Sequence, residues 1–286
     1  MLRRRSVPVV EVEVEVVEPP PTPPSILDQY VHGLPSDQAA IDLFAGEWAS
    51  SFPESTGLRA GTVPLFEDPR LAWAIEQVGG VDGKRVLELG PLEAGHTTML
   101  HRAGADVVSI ESNSRAYLKC LVVKEVMGLV RSRFLLGDFG PYLETTDERF
   151  DLVVASGVLY HSPDPPALLE ALARVGDRVV IWTHYFDDAA IAADAGLTRM
   201  FDPEVEWVDW RGHRLALHRR NYLEALDAPG FCGGPESSAL WMEREGLMTV
   251  LRELGYRHFA VTDDDPDHPN GPCVMLVAEK VGGPPA

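Results

Sequence analysis

The sequence predicts an α/β fold built on a mostly parallel sheet. Three observations carry this expectation. Short, near-continuous apolar runs such as RVLELG and FDLVVASGVLY alternate with helical patterns from residue 81 to residue 186, which is how strands buried on both faces read. Gly, Asp and Pro punctuate the boundaries between the runs. The chain then finishes with two strand-like runs, YRHFAVTDD and CVMLVAEK, joined only by a short turn-rich stretch. A connection that short forces the two strands antiparallel.

In chain order, residues 1–25 read as a disordered tail: EVEVEV alternates as a strand would, but PPPTPP follows and lacks amide donors. Residues 26–78 read as an N-terminal helical cap. IDLFAGEWASSF places Ile41, Leu43, Phe44 and Trp48 at near-helical spacing, and DPRLAWAIEQVGG stops at Gly79–Gly80. Strands follow at 85–90, 106–112, 133–139, 150–160 and 178–186. The helix over 114–129 is read with Leu118, Leu121, Val122, Val126 and Leu129 on its inner face. Asp164 and the two prolines after it mark the start of another helix. Residues 187–236 are an insertion, in which 204–220 form a hairpin around Arg211–Gly212. WMEREGLMTVLRELG is a helix ending at Gly255.

Composition narrows the function. The 25 basic residues face 44 acidic ones, a net charge of −19, and such a surface disfavours nucleic acid, whose affinity comes largely from Lys and Arg. A local basic groove would still permit RNA. Cys120, Cys232 and Cys273 are far apart and not in CxxC spacing, which points to a reducing compartment and no metal site. No apolar run reaches the roughly 18 residues a membrane span needs, and glutamates interrupt the N-terminal segment where a signal peptide would be apolar. The expectation is a cytoplasmic protein.

The stretch LELGPLEAGH follows the first strand and opens a helix, so its amides face the carboxyl end of the sheet, where ligands bind. No GKS or GKT follows, and GxGxxG is missing, which argues against a P-loop and a nicotinamide site. Instead acidic residues end three strands: Glu88, Glu111 and Asp138. Carboxylates there suit a ribose diol, an adenine amine and a positive charge, because they only accept hydrogen bonds and attract cations.

With VLELGPLEAG, VVSIESN, GDF and FDLVVASGVLYHSPDP in that order, followed by a terminal hairpin, residues 79–282 resemble the class I S-adenosylmethionine-dependent methyltransferases. The resemblance implies a Rossmann-like seven-stranded sheet whose last strand is antiparallel, with helices on both faces. It implies S-adenosylmethionine as cofactor, with Glu88 and Gly90 beneath the methionine moiety, Glu111 at the ribose hydroxyls, Asp138 and Phe139 at the adenine and Ser156 at the methionine end, and with Pro91, Gly95, His96 and Ser112 as further cofactor contacts. The family's ExGxGxG departs here, because Leu92 and Ala94 stand where two glycines usually do. GVLYH and YLKCLVVKEVMGL are similar to the branch that modifies the wobble uridine of tRNA.

For the acceptor, His161 and His184 follow strands four and five and are the candidate general bases, since imidazole titrates near neutrality. Tyr160, Tyr185, Trp207, Arg219 and Tyr222 are the candidate acceptor contacts, the last three in the insertion, which serves as a lid. The expected function is methyl transfer to a small metabolite, glycan or secondary metabolite, at oxygen. The alternatives are tRNA wobble-uridine modification and a non-catalytic binding module of the same fold.

Overall fold

Residues 30–228 and 230–280 are described by a computed structural model. The tail expected over 1–25 lies outside them. Residues 30–35 belong to a separate first unit and carry no helix or strand, and the second unit begins at Ser36. Its first elements are α1 (Asp37–Ile41), capped by the Ser36 side chain, and α2 (Pro69–Gln77), capped by Asp68 with proline in its first turn. The stretch around Trp48 is not the helix its spacing suggested. α1 stops at Ile41, Gly46 takes φ +79°, and Phe44, Trp48, Phe52 and Phe66 form an aromatic chain with centroids 4.6–6.1 Å apart. Ring packing, at roughly 0.5–1.5 kcal/mol per pair beyond burial, replaces helical periodicity there.

The sheet comes next: β1 (Arg85–Leu89), α3 (Gly95–Arg102), β2 (Asp106–Glu111), α4 (Ser114–Val126), β3 (Ser132–Leu136), α5 (Phe139–Thr145), β4 (Leu152–Ser156), α6 (Pro165–Val175) and β5 (Arg178–His184). Beyond them come α7 (Asp188–Ala193), α8 (Ala195–Met200), β6 (Phe201–Trp210), β7 (His213–Asn221), β8 (Ser238–Met242), α9 (Arg244–Glu253), β9 (Tyr256–Asp265) and β10 (Cys273–Lys280). Seven strands pair in the order β3-β2-β1-β4-β5-β10-β9, with β10 antiparallel to both neighbours. The chain order reverses between β1 and β4, so the carboxyl ends of these two strands flank the switch-point crevice. One sheet face packs Leu87, Val153, Val179 and Leu276 against α6 and α9; the other packs Val86, Val154, Val180 and Met275 against Leu71 and Ala74 of α2 and Leu100 of α3. Each fully buried leucine contributes about 2 kcal/mol.

Three boundaries differ from the sequence expectation, each for a local reason. β3 ends at Leu136, because Asp138 turns to cap α5. β4 ends at Ser156, where Gly157 takes φ +81° and the chain enters a 3-10 turn at Leu159–His161. Trp241 and Met242, read as the start of a helix, instead end β8, the third strand of a small antiparallel sheet β6-β7-β8. The β6–β7 turn falls at Arg211 (φ +49°) and Gly212 (φ +84°), as a two-residue hairpin requires.

The inner face of α4 is also displaced from the expected one. Ala116, Lys119, Cys120 and Val123 are buried, while Leu118 and Leu121 are 45% and 38% exposed. Lys119 turns the helix inward because its ammonium meets the buried carboxylate of Glu93 at 2.8 Å.

Candidate active site

The loop after β1 takes a glycine-type path through residues that are not glycine. Gly90, Leu92 and Ala94 lie at φ +61°, +53° and +59°. For an L-residue that region costs about 1–2 kcal/mol. The surroundings hold the strain in place. The Leu92 amide donates to Glu111 Oε2 (3.2 Å) and the Ala94 amide to the Pro91 carbonyl (2.8 Å). Between them Glu93 accepts from the amides of Ala49 (3.0 Å) and Ser50 (2.7 Å) and from Lys119 Nζ. Gly95 has an ordinary φ, and its constraint is space: a Cβ there would lie 2.7 Å from the Leu65 carbonyl oxygen. It lets α3 approach the N-terminal segment, a packing role.

The strand-end acids divide into three environments. Glu88 is fully buried and points into the protein, accepting from the hydroxyls of Ser109 (2.8 Å) and Thr97; burial pushes its pKa up. Glu111 lies at the loop itself and accepts from the amides of Asn113 (2.8 Å) and Leu92; burial raises its pKa against those bonds. Ser112, next along, is exposed. Asp138 is exposed and receives the Gly140 amide at 2.8 Å, with Phe139 packed against the core behind it. His96 is engaged elsewhere: its Nε2 lies 2.9 Å from Asp68 Oδ2, which also pairs with Arg70 at 2.7 Å. Burial pushes Asp68 up, but the bonds to His96 and Arg70 outweigh it and hold the carboxyl well below the usual range.

Beyond the ends of β4 and β5 lies a cavity of about 340 Å³, lined among others by Tyr160, His161, His184, Met200, Arg220 and Trp241. His184 is stacked on Trp241 (5.1 Å, 3° between planes), and its Nδ1 faces the carbonyls of Gly271 (2.8 Å) and Pro272 (3.2 Å). A carbonyl only accepts, so Nδ1 carries the hydrogen and Nε2 is left with the lone pair. His161 Nδ1 lies 2.6 Å from the Tyr222 hydroxyl. Burial, with Arg220 nearby, lowers both imidazoles to about 4, so both are neutral at pH 7. Burial raises the Tyr160 hydroxyl above its ordinary value and Tyr222 to about 12. Ser156 ends β4 half-buried before the Gly157 turn. The segment 230–237 lies beside this region: the Phe231 carbonyl accepts from Asn113 Nδ2 (3.4 Å), and its ring meets Tyr222 edge-on.

Three of the expected acceptor contacts lie away from the cavity wall. Trp207 is 55% exposed beneath Arg214. Tyr185 is buried behind the wall, its hydroxyl 3.4 Å from Asp264. Arg219 binds Glu206 and Ser238. For Arg219 the physical reason is the period of two in β7. Leu215, Leu217 and Arg219 share the face that packs on the sheet core, whereas His218 and Arg220 share the other with Trp241, the cross-strand partner of His218. The alternation of RLALHRR could have selected Arg220. Trp241 was hidden by its assignment to a helix, and the Glu93–Lys119 pair has no local signal because 26 residues separate its members.

Residues 87–178 match the family described as Methyltransferase domain. Over 128 residues the chain is 30% identical to a ubiquinone biosynthesis O-methyltransferase of Aeromonas salmonicida, covering 40% of this chain and 49% of that protein. Over 145 residues it is 30% identical to the enzyme of the same name from Bordetella avium, covering 49% and 56%. The chain thus spans about half the length of the curated relatives it matches. Among solved structures, the N-terminal domain of EvdMO1 with SAH bound has a TM-score of 0.62 at 25% identity, covering 85% of this chain and 94% of that one. A crystal of that domain in the presence of SAH and D-fucose gives 0.64 at 24%. Among the described residues no helix is long and apolar enough to cross a membrane, and no group of His, Cys, Asp and Glu is arranged to hold a metal. The matched segment 87–178 resembles a methyltransferase domain, and the sheet order together with the EvdMO1 domain shows a Rossmann-like methyltransferase fold.

Proposed function

We propose that the chain transfers the methyl group of S-adenosylmethionine to an oxygen of a small acceptor held in the cavity beyond β4 and β5. The observation that carries this reading is His184, a neutral imidazole at the cavity wall whose Nδ1 is fixed by the Gly271 carbonyl. Its Nε2 is therefore the free base that a hydroxyl acceptor needs. The residues around the β1 loop fit the cofactor. Glu111 offers a buried carboxylate whose oxygens are met only by amide donors, the acceptor a ribose diol requires. Gly90, Leu92 and Ala94 curve the backbone beside it, and Asp138 adds negative charge at the next strand end, where a sulfonium is favoured over a phosphate.

When bound, the cofactor supplies an electrophilic methyl group on sulfur. The protein positions the acceptor hydroxyl by packing it among Tyr160, Trp241 and the two histidines. As the O–CH3 bond forms and the S–CH3 bond breaks, Nε2 of His184 receives the hydroxyl proton. His161, held by Tyr222, orients the acceptor or takes the same role for a differently placed oxygen. Oxygen as the acceptor atom draws support from the ubiquinone O-methyltransferase relatives. A small acceptor draws support from the cavity volume and the D-fucose crystal of EvdMO1. No feature of the site favours tRNA, and the charge of −19 disfavours it.

The test is calorimetric titration with S-adenosylmethionine and S-adenosylhomocysteine. Micromolar binding that weakens at least about tenfold in Glu111→Ala is expected, from the loss of hydrogen bonds to a charged acceptor. Folded protein that binds neither compound sinks the reading, as does a variant that binds both as tightly as the wild type. Binding without turnover against any hydroxylated acceptor would leave a binding module in its place.

A further inference from the structure

The proposed transfer needs a base and a bound methyl donor, but it gives no task to Arg220. This residue sits half-buried on β7 at the wall of the cavity. Its guanidinium carbon lies 5.4 Å from the Tyr222 ring centre and 5.5 Å from that of Trp241. One terminal nitrogen reaches the Met200 sulfur at 3.4 Å, a weak acceptor, and the buried Nε has no hydrogen-bond partner among the described residues. The groups that face it are the neutral His161 and His184 and the hydroxyls of Tyr160 and Tyr222. Asp194 also lines the cavity, yet its Oδ1 caps α8 by receiving the amides of Gly196 (2.7 Å) and Leu197 (3.0 Å), and it forms no ion pair with Arg220.

Among the described residues, the other arginines that are not exposed behave differently. Arg70, Arg178, Arg219 and Arg244 each meet a carboxylate within 2.9 Å. In a chain with 44 acidic residues against 25 basic ones, carboxylates are abundant, so an arginine at a cavity wall without one among the described residues is a specific arrangement. Desolvating a cation without a partner opposes folding, and the guanidinium fork matches carboxylate and phosphate oxygens. We propose that Arg220 anchors an anionic substituent, a carboxylate or a phosphate ester, on the methyl acceptor. The inference rests on the methyl-transfer reading above. An oxyanion at Arg220 would place the body of the acceptor between Trp241 and Tyr160, beside His161 and His184. It would also offset the cation that helps keep both imidazoles neutral, strengthening the base once the acceptor is bound.

The experiment titrates protein saturated with S-adenosylhomocysteine with matched probes. D-galacturonate and D-fucose differ in carrying a carboxylate or a methyl group at the same carbon; 3,4-dihydroxybenzoate and catechol form an aromatic pair; galactose 6-phosphate supplies the phosphate arm. At least one charged probe should bind about tenfold to a hundredfold more tightly than its neutral counterpart, the range expected of hydrogen bonds to a charged group. That gap should vanish in Arg220→Gln and persist in part in Arg220→Lys, with S-adenosylhomocysteine affinity changed by less than about threefold, well under the effect of losing a charged contact. The better charged arm tells carboxylate from phosphate. Equal or undetectable binding of charged and neutral probes overturns the proposal, as does a gap that survives Arg220→Gln. A loss of S-adenosylhomocysteine binding in folded Arg220→Gln also overturns it, because the guanidinium would then serve the cofactor's carboxylate. Wild-type protein that fails to bind S-adenosylhomocysteine instead refutes the methyl-transfer reading on which the proposal rests.

Discussion

Replacing Lys119 with methionine leaves the Glu93 carboxylate buried without its cation. The two side chains are 6% and 2% exposed and 2.8 Å apart. At an effective dielectric of about 20, their attraction is roughly 6 kcal/mol before desolvation is subtracted. Removing one partner of such a pair costs about 3–5 kcal/mol. Here the amides of Ala49 and Ser50 still serve Glu93 in the variant, which places the loss near the lower end, about 3 kcal/mol. Glu93→Gln should cost about as much, because it leaves the ammonium with the Glu47 carbonyl but no counter-charge and weakens both amide bonds. The double variant removes both charges, so it should cost at least about 1 kcal/mol less than the sum. Urea unfolding followed by circular dichroism measures all three. Because Glu93 sits between the strained Leu92 and Ala94, S-adenosylhomocysteine affinity should fall in Lys119→Met even where the protein remains folded. A loss below about 1 kcal/mol for Lys119→Met, or strict additivity, would refute the view that this pair holds the loop.

Gly95→Ala should lose about 1–3 kcal/mol through overpacking, since its Cβ would lie 2.7 Å from the Leu65 carbonyl oxygen; an unchanged melting temperature would show that α3 can shift freely. The depressed histidines predict a pH dependence of stability. His161 and His184 titrate near 4 in the folded protein against 6.5 ordinarily, so between these values the unfolded chain binds protons that the folded chain refuses. Their contribution is complete above pH 6.5 and is lost as pH falls towards 4, by about 2–3 kcal/mol for each group. His184→Gln should flatten that slope by about half; denaturant unfolding from pH 4 to 7.5 that shows no slope in the wild type contradicts the buried neutral state.

Much of this molecule can be read from local sequence. The apolar runs determine β1, β2, β4, β5 and β10 because strands buried on both faces need continuous apolar side chains. Asp68, Asn113 and Asp164 mark helix starts because their short acceptors satisfy free amides. The order of the acids Glu88, Glu111 and Asp138 locates the carboxyl end of the sheet, where the candidate site lies. What each acid does there was a tertiary matter: Ser109 and Thr97 engage Glu88 inside the protein, while Glu111 is left at the loop. Likewise the departures at Leu92 and Ala94 are visible in sequence, but whether the loop closes or keeps its curve depends on Ala49, Ser50 and Lys119, which are distant in the chain. The cavity was the least legible part. It requires β8 to pair with β7, and that pairing puts Arg220 and Trp241 on one face and Arg219 on the other. Local sequence fixes the period of a strand, but only packing decides which of its two faces meets the site.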